Sequence, residues 1–152
     1  MTPAVDLDEK DKAIIRELQV DGRMPYAQLA PLVGLSEAAT RQRVNRLIER
    51  GVMSIVAVTD PLVLGYGYQA MLGILVENDV ANTAAKLAQI DELEYVVVAA
   101  GRYDVLAEVV CRDADHLLEV TDDKIRRVSG VRTVETLTYL RIVKQQYDWG
   151  TM

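Results

Sequence analysis

Between Arg41 and Arg50 the chain places four arginines, Arg41, Arg43, Arg46 and Arg50, against one acid, Glu49. Two amides, Gln42 and Asn45, are interleaved with them, and two small residues, Ala38 and Ala39, come just before. Guanidinium groups hold phosphates or read guanine, and side-chain amides pair bidentately with adenine. Small residues let a helix approach a groove floor closely. This is the chemistry of duplex recognition. Little else in the chain suggests reaction chemistry. His116, the one histidine, lies beside Asp113 and Asp115 and reads as a surface or capping residue. Cys111, the one cysteine, lies in the apolar run LAEVVC and reads as a small buried hydrophobe. A lone cysteine excludes an intrachain disulfide and a thiolate metal cluster. There is no Cys–His pair, nucleophile elbow, P-loop, dinucleotide fingerprint or HExxH sequence, and the carboxylates are scattered as on a solvated surface. The expectation is a protein without catalytic residues, metal or cofactor.

The net charge of −6 argues, taken alone, against a nucleic-acid binder. Distribution outweighs the sum: a local basic stripe on an acidic chain can engage DNA there and be repelled elsewhere. The length of 152 residues suits one ordinary domain or two small ones. With no Phe, one Trp and seven Tyr, the cores must be aliphatic. No apolar stretch is long enough for a membrane span, and MTPAVDLDEK lacks the apolar centre of a signal peptide. A cytoplasmic location is expected.

Three helices must carry the basic stripe. Residues 8–20 read as the first, with Asp8 or Leu7 at the cap, acids at Asp8, Glu9 and Asp11 favouring the positive helix end, and Ile14, Ile15 and Leu18 as the apolar stripe. Asp21-Gly22-Arg23 breaks it. A second helix starts at Pro25 and ends at Gly34. Ser36 caps a third, Glu37 to Arg50, which stops at Gly51. The turn Gly34-Leu35-Ser36 has helix-turn-helix spacing, which an ordinary three-helix bundle shares. The third helix decides between them. With Val44 facing inward, Thr40, Leu47, Ile48 and Gly51 fall beside it, while Ala38, Gln42 and Asn45 fall opposite. Ala39 and Arg46 adjoin that outward face, and Arg41 and Arg43 flank it. A merely solvated face would alternate Glu and Lys more often. The expected DNA-contacting residues are Ser36, Ala38, Arg41, Gln42, Arg43, Asn45 and Arg46.

Val52–Thr59 reads as a strand ended by Asp60-Pro61, and Leu62–Gly67 as a hinge. Beyond it, strands are expected over Tyr68–Glu77, Glu94–Ala100, Tyr103–Cys111 and Val131–Lys144, with helices over Asn82–Ile90 and Asp115–Val128. This β-α-β-β-α-β order is the ferredoxin-like arrangement. An RNA-recognition module shares the order, but these strands lack its aromatic signature. The strands MLGILV, YVVVAA and VLAEVV are apolar on both sides, and two helices can cover only one sheet face. An obligate dimer through the open face is therefore expected, presenting two recognition helices to a near-palindromic site.

Four segments in order carry a resemblance across nearly the whole chain: LDEKDKAIIRELQVDGR (residues 7–23), QLAPLVGLSEAATRQRVNRLIERGVM (28–53), GRYDV (101–105) and SGVRTVETLTYL (129–140). The chain resembles the Lrp/AsnC family, or feast/famine regulatory proteins. The resemblance implies an α+β protein with an N-terminal winged helix-turn-helix domain (1–52), a strand and hinge linker (53–67) and a ferredoxin-like RAM domain (68–152) for effector binding and oligomerisation. It implies a homodimer that can assemble to a tetramer or octamer, and a small effector, usually an amino acid, bound between subunits. It also carries over the turn after the second RAM strand as an effector contact. Here that turn is Gly101, Arg102, Tyr103 and Asp104. Gly101 allows close backbone approach, Asp104 can take an ammonium group, and a plain hairpin in which Asp104 caps backbone is the simpler alternative. Thr136 adds a hydroxyl from the last strand. Val134 stands where the family often has the first of two threonines two residues apart, a departure that points to a different pose or a more apolar ligand. Two other readings are an enzyme of the sirohaem decarboxylase type, which would want cleft histidines that this chain lacks, and a small-molecule-binding module without DNA activity.

Overall fold

The computed structural model describes residues 6–145. The chain divides into two compact units. One contains the described residues up to Val58 together with Lys144 and Gln145, and the other spans Thr59–Val143.

The first unit is built from three helices: α1 (Glu9–Val20), α2 (Tyr26–Val33) and α3 (Glu37–Glu49). Asp8 caps α1 through its side chain, which accepts from the Asp11 N–H at 2.8 Å. Ile14, Ile15 and Leu18 of α1, Leu29 and Val33 of α2, and Val44 and Leu47 of α3 form one buried aliphatic cluster. Gly34 ends α2 in the left-handed region at φ 65°, and Lys10 Nζ donates to the Val33 carbonyl at 2.6 Å, satisfying an orphan helix acceptor. Ile48, expected inward, is 42% exposed. It lies at the edge of the stripe, beside Leu47, which is fully buried.

The strand expected over Val52–Thr59 is not formed: residues 53–60 carry no regular secondary structure, so no paired wing strand is present among the described residues of this unit. A strand exists by sharing its N–H and C=O groups with a neighbour, and propensity alone cannot supply one. Ile55, Val56 and Val58 of this segment are exposed.

The second unit runs β1 (Tyr68–Val76), α4 (Val80–Leu87), β2 (Leu93–Val98), β3 (Val105–Cys111), α5 (Ala114–Glu119) and β4 (Val131–Thr138). The sheet is antiparallel in the order β2-β3-β1-β4, which is the expected ferredoxin-like connectivity. Alternation decides its faces. Ala70, Leu72 and Ile74 of β1 and Val105, Ala107, Val109 and Cys111 of β3 are buried against Ala84 and Leu87 of α4. Burial pushes the Cys111 thiol pKa up, as for an inert core cysteine.

Two elements depart from expectation. The helix expected over 115–128 becomes α5 followed by a π-helical turn, Val120–Ile125, closed by Arg126 N–H to the Thr121 carbonyl at 3.0 Å. In an α-helix, at ~100° per residue, Val120 and Ile125 would point about 140° apart. The wider turn brings both into the core, where each is fully buried. The last strand was expected to reach Lys144 but stops at Thr138, because its partner β1 begins at Tyr68 and Ala70 already pairs with Thr138.

Gly130 precedes β4 with φ +100°, and a Cβ there would lie 2.3 Å from Thr83 Oγ1. Gly130→Ala therefore combines backbone strain, costing about 1–3 kcal/mol, with a collision against a buried threonine. A lower chemical-denaturation midpoint is expected, corresponding to an unfolding free energy reduced by at least that amount. An unchanged midpoint would show that the turn relaxes freely.

Candidate nucleic-acid interface and effector turn

α3 is held at both ends and along its back. Ser36 Oγ accepts from Ala39 N–H at 3.2 Å, and Thr40, fully buried, donates from Oγ1 to the Ser36 carbonyl at 3.0 Å. Val44 and Leu47 lock the inward face into the core. Ser36, Ala38, Arg41, Gln42, Asn45 and Arg46 are exposed, and Arg43 is half-buried. Arg41 pairs with Glu37 at 3.3 Å and lies 5.4 Å from the Tyr26 ring centroid.

Arg43 and Arg46 have carboxylate partners that sequence reasoning missed. Arg43 Nη1 contacts Asp8 Oδ2 at 2.6 Å and Asp11 Oδ1 at 2.7 Å. Arg46 Nη2 contacts both oxygens of Asp11, at 3.1 and 3.2 Å. The Asp11 side chain is only 4% exposed. The Asp11 backbone N–H, and then the Arg43 guanidinium, hold the Asp8 carboxyl below the usual carboxylate range. Asp8 was read as a candidate cap, and both Asp8 and Asp11 as acids favouring the helix N-terminus, but neither as a partner of α3. The signal for more was present. At helical spacing Asp11 falls on the stripe of Ile14, Ile15 and Leu18, and an acid on a buried stripe needs a cation from a facing element.

In the second unit the turn between β2 and β3 is closed by Ala99 N–H to the Asp104 carbonyl at 2.9 Å. Gly101 has φ +143°, with open space where a Cβ would stand. Asp104 Oδ2 accepts from Val76 N–H at 2.8 Å, at the point where the β1–β4 register shifts between Leu75 and Val76. One carboxylate oxygen of Asp104 is thus bound to backbone, on β1 and not within its own turn. Tyr103 lays its ring over Gly73 of β1, where any Cβ would lie 2.6 Å from the ring. Its hydroxyl donates to Glu135 Oε2, which raises the phenol pKa. Arg102 Nη2 reaches the same carboxylate at 3.1 Å, and its guanidinium lies 5.3 Å from the Tyr103 ring centroid.

The structure therefore brings Arg102 and Tyr103 together around Glu135, a residue that sequence reasoning did not name because it depends on strand register. It does not bring Thr136 to that cluster. Glu135 pairs with Gly73 on the open sheet face, whereas Thr136 pairs with Leu72 on the face the helices cover. Val134, the departure noted in the sequence, packs against the core on that same covered face. Among the described residues no cluster of His, Cys, Asp or Glu could hold a metal ion, and no helix is long and apolar enough to cross a membrane.

A capped recognition helix in one unit and a one-sided antiparallel sheet in the other define a helix-turn-helix protein with an α+β companion domain. Comparison with known proteins gives the same two parts: an AsnC-type helix-turn-helix domain over residues 7–48 and a C-terminal dimeric alpha+beta barrel domain over 68–152. An HTH-type transcriptional regulator of Pyrococcus furiosus is 34% identical over 95% of this chain and 96% of its own. The regulatory protein AsnC of Escherichia coli K12 is 29% identical over 89% of this chain and 91% of its own. The solved structure of E. coli AsnC matches with a TM-score of 0.81 at 27% identity, covering 94% of this chain and 98% of that one. A feast or famine regulatory protein from M. tuberculosis, solved in complex with L-methionine, matches with a TM-score of 0.83 at 29% identity, covering 92% and 96%. The chain belongs to the Lrp/AsnC family of transcriptional regulators.

Proposed function

We propose that this regulator binds DNA sequence-specifically through α3, works as a homodimer or a larger assembly of dimers, and has its assembly or DNA affinity set by a small effector, an amino acid in the first instance. The observation that carries the DNA reading is the outward face of α3. Ala38, Gln42 and Asn45 are exposed on a helix whose cap and inward face are fixed. Gln42 and Asn45 read base edges, Ala38 lets the helix close on the groove, and Ser36 and Arg41 meet the backbone at its N-terminal end. Losing a bidentate base contact costs about 1–3 kcal/mol. Gln42→Ala with Asn45→Ala should therefore relax a footprint on the gene's own upstream DNA at discrete positions of each half-site. A footprint unchanged in extent and affinity would remove these residues from recognition.

The assembly reading is supported by the sheet. Its open face shows Tyr95 and Leu137 to solvent, with Met71 and Leu106 half-buried beside them. A neighbour that covers such a face hides apolar surface at about 25 cal/mol per Å². A two-fold pair would also present two α3 helices to a near-palindromic operator. Light scattering at micromolar concentration should give twice the chain mass or a multiple of it; a stable monomer would refute the reading.

The effector reading is supported by the relative bound to L-methionine and by the turn from Gly101 to Asp104. Backbone amides at Gly101–Tyr103 suit a carboxylate, and the Asp104 oxygen not bound to Val76 suits an ammonium group. Arg102 and Tyr103 bound the site through Glu135, and Thr136 contributes only if a ligand reaches the covered side of β4. Calorimetry with an amino-acid panel should find a ligand for the native protein, with binding lost or weakened at least tenfold, about 1.4 kcal/mol, in Asp104→Ala and Gly101→Thr. A ligand bound equally by both variants would put the site elsewhere.

A further inference from the structure

Of the arginines that make α3 a candidate for DNA, three have carboxylate partners in their own chain: Arg41 has exposed Glu37, while Arg43 and Arg46 share the buried Asp11. Asp8 and Asp11 carry two negative charges, Arg43 and Arg46 two positive ones, and the four groups interlock at 2.6 to 3.2 Å. The cluster is locally neutral. Its acids occupy the guanidiniums as a phosphate would, with oxygen lone pairs on the N–H groups. At Nη1 of Arg43 a DNA phosphate competes with two carboxylates at once, one of them Asp11, whose side chain is 4% exposed. Stranding a buried carboxylate costs more than one solvated phosphate contact returns. Arg46 is likewise held through one terminal nitrogen, but its side chain is 47% exposed against 26% for Arg43, so more of its guanidinium stays open while Asp11 directs it.

We infer that Asp11, assisted by Asp8, is a specificity-determining residue. It neutralises Arg43 and orients Arg46, and so holds down sequence-independent attraction to the DNA backbone, leaving the base-reading amides of α3 to decide where the protein stays. This rests on the DNA-binding reading and goes beyond it, because it concerns acids on α1 that touch no DNA. Sequence-independent affinity is the part that depends steeply on salt, with a slope near 0.9 for each phosphate neutralised. The overall charge of −6 acts in the same direction at long range, while the carboxylates act at the arginines themselves.

The test uses the full-length protein and two labelled duplexes of about 30 base pairs, one from the gene's own upstream region and one of arbitrary sequence, titrated by anisotropy from roughly 50 to 200 mM salt. Asp11→Asn leaves Arg43 on Asp8 and releases Arg46, so it should tighten binding to the arbitrary duplex by on the order of tenfold at low salt, steepen its salt slope by about 1 per protomer, and narrow the ratio between the duplexes. Asp8→Asn keeps a capping side chain and removes one of the two carboxylates on Arg43, which stays on Asp11; it gives the cluster one net positive charge and should steepen the slope by up to about 1. It serves as the readout if Asp11→Asn fails to fold by circular dichroism. Asp122→Asn, which makes the same charge change at a surface pair with Arg126 in the other unit, should leave the slope as in the native protein. A folded Asp11→Asn or Asp8→Asn with unchanged slope and no gain on the arbitrary duplex overturns the inference while native DNA binding stands. If neither the native protein nor the variants bind either duplex, the DNA reading falls and the inference with it. A gain matched by Asp122→Asn would assign the effect to net charge and also overturn it.

Discussion

Two helices and a π-helical turn cannot cover both faces of a four-stranded sheet, and that geometric limit organises the C-terminal half of the molecule. β1 resolves it by strict alternation, with Ala70, Leu72 and Ile74 turned to the helices and Gln69, Met71, Gly73 and Leu75 to the open side. Several polar groups on the open side are paired with one another. Gln69 Nε2 donates to Glu108 at 2.8 Å, and Tyr139 is pushed up to about 12 by burial and by the neighbouring Glu108. Tyr103 and Arg102 converge on Glu135. A face whose charges are already paired can be covered without stranding a charge, which distinguishes it from an ordinary solvated surface.

The helical half faces the same problem at the scale of one residue. Asp11 belongs by position to the apolar stripe of α1, and a carboxylate there is tolerated only with cations to meet it. Arg43 and Arg46 come from α3, so the pairing that satisfies the buried acid also ties the first helix to the recognition helix. Gly34 and Ser36 set the angle between α2 and α3, and the Asp11 cluster joins α1 to α3 across the core. The orientation of the reading face is thus fixed by backbone geometry on one side and by electrostatics on the other.

Sequence periodicity was sufficient wherever an element owes its existence to its own stripe. The three helices, the caps at Asp8 and Ser36, the stop at Gly34 and the inward set around Val44 were legible for that reason, as was the order of strands in the second unit. It misread elements whose state depends on a partner. Val52–Thr59 has the composition of a strand and no neighbour. Val131 onward has the composition of a long strand, but β1 begins at Tyr68 and offers no partner beyond it. The π turn at Val120–Ile125 breaks the 3.6-residue period because the core asks for two side chains on one side. Of the candidate residues, the α3 amides were placed correctly on the exposed side because helix phase alone decides it. Glu135 was invisible and Thr136 was grouped with the wrong face, because strand register decides both.

The turn from Gly101 to Asp104 gains its interest from where its side chains end. Asp104 holds Val76 at the irregular step of the β1–β4 pairing, and Tyr103 lies on Gly73 and reaches Glu135 of β4. Two consecutive residues of one turn therefore touch the backbone of β1 and an open-face side chain of β4. A molecule seated at that turn, as proposed above, would exert its charge on the atoms that shape both the edge strand and the uncovered face. A ligand biases assembly only through a difference in its free energy between the assembled and unassembled states. Here that difference has a material basis. Any shift of Tyr103 off Gly73 changes the relief of the open face, and any competition for Asp104 loosens the Val76 anchor beside β4. On that proposal sensing and association would share their atoms in this domain, and no longer-range pathway through the core would be required to couple them.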